Sequence, residues 1–346
     1  VTSEEGGRIP LTETDDISEG GEGRTESDRD YTGTGYANAA EDIDRMLEKM
    51  AADQTTAKLE KKREKELTDH ANSIDYGDAH KGVKYSVHRI SSVRGKLIDM
   101  YHQVASKLLP ISKRLQKQIQ QTLKDYRQGG KHNGLYMGKR LEARAVIRDD
   151  GRMFYKNILP MEEPQMAISL LIDESGSMAC RERITTARAA AIILYDFCQA
   201  LNIPINITGH TENRNVELYS YVEFDSYDSY DKYRLMDMSS RDGNRDGAAL
   251  KFVAERLSKR PESFKLLIII SDGQPAANGY IGTEAERDLK RIKAEYTRRG
   301  VTLFAAAIGE DKENIHRIYG DGFLDVTNLD NLPVLLTKLV SRFIKK

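Results

Sequence analysis

Asp173, Ser175 and Ser177 stand at alternate positions near the end of the run ISLLIDESGSM, residues 168–178. One carboxylate and two hydroxyls, with no His or Cys among them, form a hard oxygen donor set that suits Mg²⁺ or Mn²⁺. The five residues before them, Ile168 to Ile172, are an apolar run that reads as a strand buried on both faces of a parallel sheet. The turn at the carboxyl end of such a strand is where open α/β sheets place their sites. Two later loops carry the same chemistry. Asp242 and Asp246 lie in RDGNRDGAAL ahead of a helix, and Asp272 in ISDGQP follows the apolar run Leu266 to Ile270. Singly, each has an ordinary reading, since an Asp before a helix caps it and Asp-Gly makes a turn. In a parallel sheet, however, all strand carboxyl ends share one edge. The three loops are therefore expected to converge there as a metal site.

The elements that must hold these residues follow from the periodicity. After the strand at 168–172 come a helix at 184–201, a strand at 204–209 and an edge strand at 217–224. A helix at 247–257 leads to the strand at 266–270 and a helix at 284–299. A strand at 301–308, a short helix near 312–319, a short strand at 323–326 and a closing helix at 332–344 complete the series. Strands alternating with helices specify an α/β fold, a doubly wound and mostly parallel sheet covered on both faces. This domain is expected over residues 165–346.

Upstream, residues 37–164 read as a mostly helical, basic region. Residues 38–68 have Ile43, Met46, Leu47 and Met50 at helical spacing. The tract at 69–85 breaks the pattern, and a second helical period runs from 91 to 126, where Pro110 is expected to kink or split it. The Gly-rich stretch QGGKHNGL, residues 128–135, reads as a loop and has no P-loop spacing. Residues 1–36 are rich in Gly, Ser, Thr and acids, too poor in large apolar residues to fold, and are expected to be disordered.

Net charge is −1 and gives no partner class. Its distribution is uneven: residues 1–30 hold ten acids and three arginines, whereas 81–150 hold sixteen Lys and Arg and five acids. The basic helix lacks interleaved aromatics and any nucleic-acid motif, so a nucleic-acid partner is not expected. No apolar run reaches the ~20 residues of a membrane span. Cys180 and Cys198 are the two cysteines, without metal spacing, which suits a reducing, cytoplasmic setting. The chain starts at Val1 without a leader pattern, so it is expected to begin inside a longer protein. DESGSM lacks the first Gly of a GxSxG nucleophile elbow, and Ser175 stands where a phosphatase of the haloacid-dehalogenase type needs a second Asp.

With these residues in view, 165–346 resembles a von Willebrand factor A (VWA) domain. DESGS matches that family's metal-ion-dependent adhesion site (MIDAS) motif, Asp-x-Ser-x-Ser, and SDG matches its later Asp-Gly turn. The resemblance implies that Asp173, Ser175 and Ser177 belong to the Mg²⁺ shell and that Asp272 joins it through water. The family's middle ligand, a Thr after a Gly-rich turn, is absent. NRDGAAL offers Asp246 in its place, with Asp242 as the alternative. This departure, together with GLYMGKR and FYKNILP upstream, resembles the A domain of the cobaltochelatase T-type subunit. Its relatives include activators of nitric oxide reductase and of rubisco. That resemblance covers roughly residues 85–346. It implies a non-catalytic subunit that works with a MoxR-type AAA+ ATPase ring on a target metalloenzyme or chelatase subunit, in a higher-order assembly. A stand-alone VWA ligand-binding module and a metal-dependent phosphoester hydrolase are the rival readings.

Three carboxylates around one divalent ion carry more negative charge than the ion neutralises. Capture of a partner's carboxylate is then expected to be weaker than at a Thr-containing site, or the metal more structural. Four further residues are candidate partner contacts: His210 and Thr211 after the strand at 204–209, and Tyr227 and Tyr230 in the Tyr/Asp-rich segment 223–237.

Overall fold

The computed structural model describes residues 35–128, 130–147, 150–158, 165–226, 230–272, 275–307, 312–320, 323–326 and 328–344. The acidic segment expected over 1–36 lies outside them, apart from Gly35 and Tyr36. In chain order the elements begin with helix α1 (Gly35–Ser73), strand β1 (Tyr85–His88), α2 (Gly95–Gln128), β2 (Gly130–Leu135), β3 (Arg140–Leu141) and β4 (Phe154–Ile158). They continue with β5 (Met166–Asp173), α3 (Arg183–Ala200), β6 (Ile205–Asn213), β7 (Asn215–Val222), α4 (Asp231–Arg234), α5 (Asp246–Ser258) and β8 (Phe264–Ile270). The hairpin β9 (Ala276–Ala277) and β10 (Tyr280–Ile281) precedes α6 (Gly282–Arg298), β11 (Val301–Ala307), α7 (Lys312–Tyr319), β12 (Phe323–Asp325) and α8 (Leu332–Ile344).

The main sheet has the order β1-β7-β6-β5-β8-β11-β12. All neighbouring pairs in it are parallel except β6 with β7. The doubly wound, mostly parallel sheet expected from the sequence is therefore present. Strand order reverses at β5, which runs on to β6 on one side and neighbours β8 on the other. That arrangement opens a crevice at their carboxyl ends.

Strand β5 is buried along its whole length, and its alternating side chains feed two cores. Met166, Ile168, Leu170 and Ile172 face a core shared with α3, with Leu336 and Val340 of α8, and with Tyr101, Leu115 and Ile119 of α2. Ala167 and Leu171 face the other core, built from α5, α6 and α7 and from Leu67 and Ala71 at the end of α1. Asp173 has the parity of this second set.

Packing does not break at residue 165. Strand β1 adds to the sheet beside β7, so β7 is covered and is not the edge expected over 217–224. Arg89, just after β1, is buried. Its guanidinium reaches Glu60, donates to Asp231 Oδ1 at 2.8 Å and to the carbonyls of Ser220 and Tyr221 at 3.2 Å. One cation thus joins α1, β7 and α4.

Two other local expectations differ. Helix α2 runs through Pro110 without a break. The Gly-rich stretch at 128–135 is largely strand β2, paired antiparallel with β4 in a three-stranded sheet. Ile43, Met46, Leu47 and Met50 of α1 are exposed and not packed in a core. Among the described residues, no helix is long and apolar enough to cross a membrane.

Candidate metal centre

The site is built from the carboxyl ends of β5, β6 and β8 and the amino end of α5. Asp173 closes β5 and is fully buried. Its Oδ1 accepts the Ser175 backbone N–H at 2.8 Å. Its Oδ2 accepts Asn244 Nδ2 and Ser271 Oγ, each at 3.0 Å. Donors from three loops therefore fix one carboxylate. The turn brings Ser175 Oγ and Ser177 Oγ to 2.9 Å of each other. Ser175 is buried, whereas Ser177 is exposed and gives the cluster an open side. Gly176 N–H donates to the Asp242 carbonyl at 2.7 Å, tying the Asp-x-Ser-x-Ser turn to the loop before α5.

Asp246, the first residue of α5, is buried at 3% exposure. Burial pushes its carboxyl well above the usual range, and the neighbouring charges of Asp173 and Asp272 add to the rise. Asp173 is also raised by burial, against the hydrogen bonds it accepts. Asp272, after β8, takes Arg183 Nη1 at 3.2 Å, and the same nitrogen lies 3.3 Å from the Ser177 carbonyl. Arg183 thus places a positive charge beside one of the three carboxylates. Asp242 points elsewhere: it is exposed and accepts Asn213 Nδ2 at 3.0 Å.

His210 sits opposite Asp173 in the β5–β6 register. It has no exposed surface, and burial lowers its pKa to about 3, so the imidazole is neutral at ordinary pH. Among the described residues, neither ring nitrogen has a hydrogen-bond partner. Its Nε2 lies 3.4 Å from Asp246 Oδ1, too poorly aligned for a hydrogen bond. One ligand atom each from Asp173, His210 and Asp246 lies within 4.8 Å of the others.

A divalent cation fits these residues. Like-charged carboxylates buried together, with hydroxyls beside them and an imidazole lacking partners, form a donor set short of positive charge.

The structure brings Asp173, Ser175, Ser177, Asp246 and Asp272 to one sheet edge and leaves Asp242 outside. His210 and Thr211, expected as partner contacts, are both buried, because β6 continues through them to Asn213. Thr211 Oγ1 donates to the Gly243 carbonyl at 2.9 Å and accepts the Asp242 N–H at 3.1 Å. It is a brace for the loop. Tyr227 lies outside the described residues. Tyr230 is 39% exposed, but the segment around it packs inward: Asp231 and Arg234 are buried, and Tyr233 stacks edge-on against Tyr101 of α2 at 5.3 Å.

Arg183, Asn244 and Ser271 belong to the site and carried no motif of their own. Glu174 was also silent in the sequence. It is buried, its N–H donates to the His210 carbonyl at 2.9 Å, and it accepts Arg241 Nε at 2.8 Å and the Tyr221 hydroxyl at 2.5 Å. Burial pushes its carboxyl to about 7. The guanidinium of Arg241 stacks 3.7 Å from the Tyr219 ring centroid. This inner layer clamps the turn after Asp173 to the loop leading to Asp246.

Residues 234–346 match the family described as Cobalamin biosynthesis protein CobT VWA domain. The chain is 26% identical over 269 residues to the uncharacterized protein YojO of Bacillus subtilis (strain 168), covering 71% of this chain and 41% of that one. It is 28% identical over 189 residues to protein NorD of Brucella suis biovar 1, covering 51% of this chain and 30% of that one. The chain thus spans less than half the length of these curated relatives. Among solved structures, proximal thread matrix protein 1 of the mussel byssus, with a zinc-occupied MIDAS motif, aligns at 20% identity and a TM-score of 0.40. That alignment covers 51% of this chain and 48% of the mussel chain. BatB from Bacteroides thetaiotaomicron aligns at 14% identity and a TM-score of 0.39, covering 52% and 100% respectively.

Proposed function

We propose that this chain, a von Willebrand factor A protein of the CobT and NorD branch, is a metal-dependent adaptor between an AAA+ ATPase of the MoxR type and a target metalloenzyme or chelatase subunit. One observation carries the reading. Asp173, Ser175, Ser177 and Asp246 meet at the crevice of the sheet, with Ser177 on the open side, in a chain that matches the CobT VWA domain.

Asp173, Ser175, Ser177 and Asp246 would hold the ion, with Asp272 beyond them. A bound divalent cation supplies a coordination point for an acidic side chain of the partner. This chain's own residues prepare that point. Asn244 and Ser271 orient Asp173, and the Glu174–Arg241 pair sets the spacing between the two loops. Arg183 offsets the charge of Asp272 and so eases the approach of an anionic partner group. It thereby moderates the weaker carboxylate capture expected of a site with three acids. The reading places the protein in the cytoplasm, within a higher-order assembly with the ATPase ring.

Affinity isolation with the wild-type chain and with Asp173→Ala tests it, with the co-purifying proteins identified by mass spectrometry. The expected result is a Mg²⁺- or Mn²⁺-dependent AAA+ ATPase on the wild type and its loss from the variant. Absence of such an ATPase from the wild type, or equal retrieval by both chains, would sink the reading.

A further inference from the structure

We propose that His210 is a direct nitrogen ligand of this centre, making it a mixed imidazole–carboxylate site that binds a divalent transition ion in preference to Mg²⁺. The inference rests on the metal site of the proposed adaptor and goes further, to the chemistry of the ion.

Three observations converge on it. First, His210 is wholly buried, and among the described residues both of its ring nitrogens lack a hydrogen-bond partner. Such a side chain is costly unless something outside the protein satisfies it. Second, the imidazole faces the acids. Nε2 lies 3.4 Å from Asp246 Oδ1, and the ligand atoms of Asp173, His210 and Asp246 lie within 4.8 Å of one another. Atoms bound to one ion cannot be farther apart than the sum of their two bond lengths, about 4.3 Å for nitrogen and oxygen on zinc. A modest inward shift of the side chains is enough. Third, the backbone holds the ring there. His210 pairs with Asp173 in the β5–β6 register, and its carbonyl accepts the Glu174 N–H at 2.9 Å.

Ligand chemistry then sets the preference. Imidazole suits Zn²⁺ and its neighbours in the first transition row, whereas Mg²⁺ favours oxygen ligands in a near-ideal octahedron that retains several waters. A donor set of two carboxylates, two hydroxyls and an imidazole therefore favours the transition ion. The rival arrangement has His210 only donating a hydrogen bond to Asp246, which leaves an all-oxygen site.

The test uses the full chain, stripped of metal with chelator. Pulsed electron paramagnetic resonance of the Mn²⁺-loaded wild type reports whether a histidine nitrogen is bonded to the ion, with ¹⁵N-histidine labelling to assign the signal. This readout needs no variant and so does not depend on how a variant folds. Competition against a chromophoric chelator then gives the affinities of Zn²⁺, Mn²⁺ and Mg²⁺ for the wild type, His210→Asn and Asp173→Ala. The expected result is directly coordinated nitrogen in the wild type, tighter Zn²⁺ than Mg²⁺, and a Zn²⁺ affinity about tenfold or more weaker in His210→Asn with Mg²⁺ unchanged. Binding of Mn²⁺ that depends on Asp173 but shows no coupled nitrogen would overturn the proposal and leave the adaptor's metal site standing. If Asp173→Ala bound every ion like the wild type, or the wild type bound none, the site itself would fall and the proposal with it.

Discussion

Asp246 is under electrostatic tension. Its carboxyl is buried, and the charges of Asp173 and Asp272 press on it, whereas Arg183 places its positive charge beside Asp272. Without a cation, that repulsion is a standing cost to the fold; at the proposed metal site the same charges would become ligands. Asp246→Asn keeps the shape and removes one charge. The variant is expected to gain about 0.5–2 kcal/mol in the metal-free state, the range common to stabilising substitutions, and to lose metal affinity. Thermal melts with chelator and with Mn²⁺ check both halves. A variant less stable than the wild type in chelator would count against electrostatic tension at this position. That Asp173, Ser175, Ser177, Asp246 and Asp272 share one sheet edge was legible, because their loops follow apolar runs or open a helix. Arg183, Asn244 and Ser271 were not, because nothing in their local pattern says which carboxylate they will meet. His210 was misread for a related reason. The apolar stretch stops near Gly209, but β6 continues to Asn213 with His210 and Thr211 buried, and Glu212 pairs with Gly243 of the loop before α5.

At the scale of elements, the long apolar runs gave β5, β8 and β11 in their correct roles, because strands buried on both faces have few other readings. Strand β1 was hidden. YSVH is only four residues, with Tyr85 and Val87 as its β-forming side chains, too short a run to stand out, and its place in the sheet depends on β7. The segment before it has a second anchor. His80 Nε2 lies 2.9 Å from Asp288 Oδ2 on α6, Tyr280 donates its hydroxyl to the same oxygen at 3.0 Å, and Arg291 donates to Oδ1 at 2.7 Å. Burial alone would raise the Asp288 carboxyl, but these partners outweigh it and hold the group at about 2. A depressed carboxyl contributes its stability fully above the unfolded value of 3.8 and loses it as pH falls toward 2. Asp288→Asn is therefore expected to be less stable than the wild type near pH 6, with the gap closing between pH 4 and pH 2. Urea titrations across that range decide it; a gap independent of pH would show that the cluster acts by packing and not by charge.

For the whole molecule, the open question is whether the upstream region and the sheet form one cooperative unit. The composition changes near residue 165, and a boundary there was the natural reading of the sequence. The packing argues otherwise. Leu115 and Ile119 of α2 have no exposed surface and share a core with Ile168, Leu170 and Ile172 of β5, the strand that ends in Asp173. The second core likewise joins Leu67, Tyr85 and Val87 to α5, which begins at Asp246. A cavity at Ile119 should therefore be felt by the whole structure. Ile119→Ala is expected to cost about 2–5 kcal/mol, the range for deleting a buried aliphatic side chain. A metal ion at 100 times its dissociation constant should return about 2.7 kcal/mol to wild type and variant alike, because binding stabilises whatever folds together with the site. Circular dichroism melts, with and without the ion, are expected to show one transition for each protein. Each should shift downward with the substitution and upward with the metal. Two transitions, with the substitution moving one and the metal the other, would restore the boundary at 165 and make the upstream helices a separately folding neighbour of the metal centre.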